Sequence, residues 1–275
     1  MECITKKVGF IGGGNMARAL ATCFIDKGVI SAENIWVSSR TEITLETWNS
    51  LGVNTTLNNV ELIKKVDVVF LTIKPQVLDA ALNDLDQLRG CHINKVFVSV
   101  LAGTPIATLK SKLELLTTNP RIVRAMPNTP VTLGEGIIVY CSEGTIPEDD
   151  EIVKRLFSCT GLIEIVPESL INAYSALCGS APAFAYLMIE ALSDGAVKMG
   201  VPRAQATKFA SQVLVGAGKM VLQTKKHPGQ LKDEVCSPGG TTICGMHELE
   251  KQSVRASVIN AIEATVKKAD SLLPK

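Results

Sequence analysis

The stretch VGFIGGGNMA, Val8 to Ala17, decides how this chain is read. A short apolar run (Val8, Phe10, Ile11) meets three consecutive glycines, Gly12, Gly13 and Gly14. A helical pattern of apolar residues then runs through Met16, Ala19, Leu20 and Phe24. The order is strand, tight turn, helix. The spacing Gly12-x-Gly14-x-x-Ala17 is a dinucleotide-binding fingerprint with alanine in the third place. Gly12 permits the turn, and Gly14 leaves no Cβ between the backbone and a pyrophosphate. Ala17 is small enough for the helix to pack close to the strand. The helix start offers unpaired N–H groups and a partial positive charge, both of which favour phosphate.

Composition sets the outer bounds. The 275 residues suffice for two ordinary domains, and 46% are hydrophobic, enough for a sizeable core. With 28 basic against 27 acidic side chains and no basic patch, nucleic acid is not an expected partner. Cysteines stand at positions 3, 23, 91, 141, 159, 178, 236 and 244. None forms a CxxC and none has zinc-ligand spacing with histidine, so no metal site is expected. They read as buried or partly buried thiols in a reducing compartment. The N-terminal MECITKKVGF resembles neither a signal peptide nor a transit helix. No unbroken apolar run of about 18 residues occurs, so no membrane span is expected. The protein is expected in the cytoplasm.

Up to about Glu168 the chain alternates between strand and helix patterns. Strands are expected at 35–38, 53–56, 67–73, 96–100, 122–126, 136–141 and 162–166. Helices are expected at 41–51, 60–66, 76–88, from about 105, and at 147–159. This alternation predicts an α/β Rossmann domain with a doubly wound, mostly parallel sheet over residues 1–168. From 169 to 275 the pattern is all-helical. A long run rich in small residues, 171–199, should kink or split at Pro182. Helices follow at 202–224, 242–251 and 254–273, with a loop at 235–241. Two long apolar helices exceed what one small domain can cover, so this half is expected to bury itself in a dimer.

Where NAD-binding versions end the second strand with a carboxylate, this chain reads Ser38-Ser39-Arg40. Two hydroxyls and a guanidinium suit a 2′-phosphate, so NADPH is expected over NADH. The alternative is that the serines cap a helix and Arg40 is simply solvated. The ends of later strands, Thr72, Ile73, Lys74 and Pro75, and Val100, Leu101 and Ala102, stand where ligands lie in open α/β sheets. A second special loop is Ser237-Pro238-Gly239-Gly240-Thr241-Thr242. The N–H groups of Gly240, Thr241 and Thr242 could hold a carboxylate, and a threonine hydroxyl could reach a substrate heteroatom. Equally, Pro-Gly-Gly is a turn and threonine a helix cap.

Taken together, the chain resembles pyrroline-5-carboxylate reductase. The resemblance rests on GFIGGGNMA (Gly9–Ala17), KPQ (Lys74–Gln76), RAMPNTP (Arg124–Pro130) and GSAPAF (Gly179–Phe184). It continues through DGAVKMG (Asp194–Gly200), HPGQLKDEVCSPGGTTI (His227–Ile243) and NAIEA (Asn260–Ala264). It implies a Rossmann domain followed by a helical dimerisation domain, with dimers assembling into decamers. It implies reduction of the C=N bond of 1-pyrroline-5-carboxylate to L-proline by NADPH or NADH. Carried over for the cofactor are Ile11, Gly12, Gly13, Gly14, Asn15, Met16, Ser38, Asn59, Thr72 to Pro75 and Val100 to Ala102. Position adds Ser39 and Arg40. For substrate the carried-over residues are Glu168, Gly239, Gly240, Thr241 and Thr242, with Thr242 as the catalytic residue. Two positions depart from animal members: Arg40 stands where some have proline, and Glu234 where some have asparagine near the cofactor.

Two rival readings remain at this point. One is a β-hydroxyacid dehydrogenase, for which Lys198 and Lys219 are candidate lysines without the expected neighbourhood. The other is a dinucleotide-sensing scaffold, against which the intact Ser237–Thr242 loop argues. None of His92, His227 and His247 is expected to be catalytic. Trp36 and Trp48 read as packing residues, and Cys178 as interface packing.

Overall fold

The computed structural model describes residues 3–91 and 93–271; His92 and the last residues of the expected final helix lie outside them. An eight-stranded sheet has the order β3-β2-β1-β4-β5-β6-β7-β8. The strands are β1 (Val8–Ile11), β2 (Ile35–Ser38), β3 (Asn54–Thr56), β4 (Val68–Leu71), β5 (Val96–Ser99), β6 (Arg121–Pro127), β7 (Gly136–Glu143) and β8 (Gly161–Ile165). β1, β4 and β5 are buried at every residue, as strands covered on both faces must be. All pairings are parallel except β6 with β7. Only residues 128–135 separate those two strands, too few for the crossover of a dozen or so residues that a parallel pair requires.

Helices α1 (Asn15–Asp26), α2 (Glu42–Glu46), α3 (Asn59–Lys65), α4 (Leu78–Asn83), α5 (Ile106–Leu113) and α6 (Pro147–Ser158) connect the strands. α1 buries Ala17, Leu20, Ala21 and Phe24 against the sheet. There Phe10 stacks on Phe70 with ring centroids 4.9 Å apart, and Phe70 meets Phe157 edge-on. The single helix expected over 41–51 is instead α2 and a 3-10 turn, Asn49–Leu51. Thr47 Oγ1 donates to the Thr44 carbonyl at 2.7 Å, a local bond of the kind that competes with helix propagation. The helix expected over 76–88 is likewise α4 between two 3-10 turns.

The chain divides into two compact units. One holds everything up to Gly179 together with residues from Val266 onward, and the other is Ser180–Thr265. The division falls later than Glu168 because the segment after β8 packs with the sheet. Ile171 and Cys178 are buried in the sheet's core, and Asn172 Nδ2 donates to Asp270 Oδ1 at 2.8 Å. Cys178, expected as interface packing, is thus buried within its own chain. The exposed Cys3, Cys91 and Cys244 also depart from the expectation of buried thiols.

After α7 (Ile171–Ser175) the backbone forms a π-helix, Ala176–Ser180, and then α8 (Ala181–Lys198). Pro182 therefore does not break the run. It sits in the first turn of α8, directly after the π-helical segment. The run Glu168–Lys198 includes a window of mean hydropathy 1.3, only 11% buried, and by length and composition it is long enough to cross a membrane. Polar and small residues such as Ser175, Gly179 and Ser180 interrupt it as an unbroken apolar stretch. α9 (Arg203–Thr224), α10 (Pro228–Val235), α11 (Thr241–Lys251) and α12 (Val254–Asp270) follow. α10 is an unexpected helix. His227 caps it by accepting the Gly229 N–H at Nδ1, and Pro228 holds the first helical position.

Candidate active site

The fingerprint loop is built as its residue types require. Gly12 has φ +103°, and a Cβ there would lie 2.6 Å from Ile73 Cγ2 and 2.9 Å from the Thr72 carbonyl oxygen. Thr72 closes the loop from β4, its hydroxyl donating to the Gly12 carbonyl at 2.8 Å. The Gly12 N–H donates to the Ser38 carbonyl at 2.9 Å, binding the loop to β2. Among the described residues nothing lies within 4 Å of a Cβ built on Gly14, and this glycine is exposed. Among the described residues no side chain caps α1, and its first turn carries no acidic residue. The loop therefore fits a pyrophosphate: unpaired N–H groups, a helix dipole and no competing carboxylate.

At the end of β2 the three residues behave differently. Ser38 is 1% exposed, and its hydroxyl donates to Asn59 Oδ1 at 2.7 Å. That hydroxyl is engaged inside the protein, where it orients Asn59 at the start of α3. Ser39 donates its N–H to the Thr56 carbonyl at 3.3 Å and is half-buried, while Arg40 is exposed. Among the described residues no carboxylate pairs with Arg40, so its guanidinium is open to a phosphate. Thr72, Ile73, Pro75 and Val100 are half-buried, Lys74 and Ala102 exposed, and Leu101 buried. Beside Pro75 and Ala102 lies a crevice of about 330 Å³, with Thr104 and the Lys112–Asp79 ion pair on its walls.

Glu168 lies in the same unit. Its Oε1 accepts from the Ile106 N–H at 2.7 Å and from Arg124 Nη1 at 2.8 Å. The carboxylate thus caps the start of α5 and neutralises a buried guanidinium. Arg124 Nε is buried without a partner among the described residues. Asn128, also from the RAMPNTP segment, accepts the Ile137 N–H at 2.8 Å and donates to the Cys178 carbonyl at 3.0 Å. These polar residues organise the unit's interior, which the sequence motif alone does not disclose.

The second loop belongs to the helical unit. The Gly240 N–H donates to the Ser237 carbonyl at 3.0 Å, and Gly239 has φ +67°. This is a turn with proline and then glycine at its centre, the type II pattern. Gly240 N–H is therefore engaged in the turn rather than free for a carboxylate. The N–H groups of Thr241 and Thr242 stand at the start of α11, which no side chain among the described residues caps, and both threonines are exposed. Glu234 is less disruptive than its charge suggests. Lys226 Nζ lies 2.8 Å from its Oε1, and Gln230 donates to the same oxygen at 3.1 Å. The Lys226 hydrogen bond holds the Glu234 carboxyl below the usual range.

Comparison with known proteins agrees with this anatomy. Residues 168–272 match the family model "Pyrroline-5-carboxylate reductase dimerisation", and residues 7–103 match "NADP oxidoreductase coenzyme F420-dependent". Pyrroline-5-carboxylate reductase 2 of Bos taurus is 43% identical over 264 residues, covering 94% of this chain and 81% of that one. The chain belongs to the pyrroline-5-carboxylate reductase family. The Arabidopsis thaliana member is 41% identical over 268 residues, covering 97% of this chain and 95% of its own. Among solved structures, Plasmodium falciparum pyrroline carboxylate reductase with NADP bound superposes with a TM-score of 0.86 at 31% identity. That match covers 98% of this chain and 99% of the other. Membership makes the chain an oxidoreductase with a Rossmann-like domain and a helical dimerisation segment.

Proposed function

We infer that this protein reduces 1-pyrroline-5-carboxylate to L-proline with NADPH as the preferred reductant and NADH as a second one. The observation that carries the reading is the presence in one chain of an open fingerprint loop at Gly12–Gly14 and a Pro-Gly turn that delivers Thr241 and Thr242 to an uncapped helix start. When bound, the reduced nicotinamide supplies a hydride. The chain's own residues bind and orient. The α1 N-terminus holds the pyrophosphate, and Arg40 selects the 2′-phosphate. Thr241 and Thr242 N–H groups take the substrate carboxylate.

The Thr242 hydroxyl oxygen accepts a hydrogen bond from the protonated ring nitrogen. A threonine hydroxyl is too weak an acid to protonate it, so the substrate enters as the iminium, already carrying the proton that becomes the proline N–H. The imine carbon accepts the hydride while the C=N π pair moves to nitrogen and neutralises it. Catalysis is then positioning and electrostatics.

The active assembly is a homodimer, supported by the exposed apolar residues of the helical unit, among them Leu187, Phe209, Val213 and Ile259. A decamer of five dimers rests on the family resemblance, and light scattering of the purified protein tests both. A monomeric mass contradicts them. We assign the protein to the cytoplasm on its unpaired cysteines. Incubation with NADPH and the imine tests the reaction: L-proline should form mole for mole with NADPH oxidised. NADPH binding without proline formation contradicts it.

A further inference from the structure

Trp48 touches the fingerprint loop from a place the motif does not include. It is completely buried, and its indole N–H donates to the Gly13 carbonyl at 3.1 Å. A Cβ on Gly13 would lie 2.8 Å from the indole nitrogen and 3.2 Å from both Thr44 Cγ2 and Val37 Cγ1. Trp48 and its neighbours therefore leave no room for a side chain at the middle glycine, whose φ is not in the left-handed region. The corner carrying Trp48 is itself tied down, because the Arg18 guanidinium on α1 donates to the Thr47 carbonyl. Across a trans peptide the carbonyl and the following N–H point in opposite directions. With the Gly13 carbonyl held on the indole, the Gly14 N–H is turned away from it, and Gly14 itself is exposed.

We propose that Trp48 is a positioning residue for dinucleotide binding, which sets the Gly13–Gly14 peptide so that the Gly14 N–H is presented to the pyrophosphate. This rests on the reading of the loop as a dinucleotide site. The pyrophosphate is common to NADPH and NADH, so Trp48 acts on both cofactors alike, unlike Arg40.

The test is Trp48→Phe, which keeps an aromatic ring but removes the donor. Dissociation constants for NADPH and NADH are measured by titration of reduced-nicotinamide fluorescence, alongside steady-state kinetics. Both constants should rise about tenfold, by the same factor, the scale of one lost hydrogen bond that leaves a carbonyl unpaired. The cofactor KM should follow, while kcat and the imine KM stay within about twofold. A lower melting temperature with unchanged dissociation constants overturns the proposal, and so does a rise confined to NADPH. Gly13→Ala, which drives a methyl into the indole, provides a second route if Trp48→Phe does not fold. It should weaken both cofactors, and unchanged affinity again overturns the proposal. Where all variants fold, the losses in the double variant should be less than additive, because one peptide is being displaced; fully additive losses count against the proposal. If the wild-type protein binds neither dinucleotide, the dinucleotide reading itself fails, and the proposal with it.

Discussion

The side-chain amide of Asn128 donates to the carbonyl oxygen of Cys178, the carbonyl that an N–H four residues on would take if residue 182 were not proline. Asn128 thereby supplies a partner at the π-helical segment and, through its own oxygen, fixes Ile137 on β7. Asn128→Ala removes both bonds at a buried site. It should cost about 2–5 kcal/mol of stability, the scale of two buried polar groups left unpaired. Urea unfolding followed by circular dichroism checks this, and a midpoint equal to wild type would show that the bridge is dispensable.

Thr242→Ala should lower kcat/KM for the imine by roughly tenfold to a thousandfold, the range between one lost polar contact and one lost oriented hydrogen bond. Thr242→Ser should recover most of the loss. Steady-state kinetics decide, and an unchanged kcat/KM would remove Thr242 from the chemistry.

Arg40 is the exposed cation next to Ser39 at the end of β2. Arg40→Ala should raise the KM for NADPH by about tenfold, one charge-assisted phosphate contact, and leave the KM for NADH within about twofold. Equal effects on both cofactors would mean that Arg40 does not read the 2′-phosphate.

The buried thiols should be slow to react. Burial pushes the Cys159 thiol up to about 12 and the Cys141 thiol up to about 11, and it also raises Cys23 and Cys178. Less thiolate at neutral pH means slower alkylation. Iodoacetamide labelling read by mass spectrometry should mark the exposed Cys3, Cys91 and Cys244 first. Labelling of Cys159 at the rate of Cys3 would contradict this. The sign for stability follows from the same shifts. The folded values lie above the ordinary thiol value of 9.0, so this contribution is intact below about pH 9 and is lost as pH climbs towards the folded values.

Local chemistry explains which parts of this anatomy are legible in the amino-acid order. The β1 turn and α1 follow from neighbours in sequence, because Gly12, Gly14 and Ala17 act through their own backbone. The antiparallel β6–β7 pair follows from a connection too short to cross over. Trp48 on Gly13 and Asn128 on Cys178 are not legible, since each joins residues distant in sequence through one side chain on irregular backbone. α10 was signalled by Pro228 behind a capping residue, but histidine is an uncommon cap. The Pro238-Gly239 centre announces a turn, and the turn's own hydrogen bond withdraws the Gly240 N–H from the anion nest that the glycine-rich composition suggests. Ser38 shows the same limit in reverse: its residue type suits a phosphate, while its position at the buried end of β2 directs the hydroxyl to Asn59.

Reductase activity and cofactor preference are read together from the initial rate of NADPH oxidation, and separately of NADH oxidation, with 1-pyrroline-5-carboxylate as acceptor. Turnover is expected with both cofactors, with a higher kcat/KM for NADPH. Turnover that prefers NADH would contradict the role given to Arg40, and no turnover with either cofactor, in protein that binds NADPH, would contradict the reductase itself.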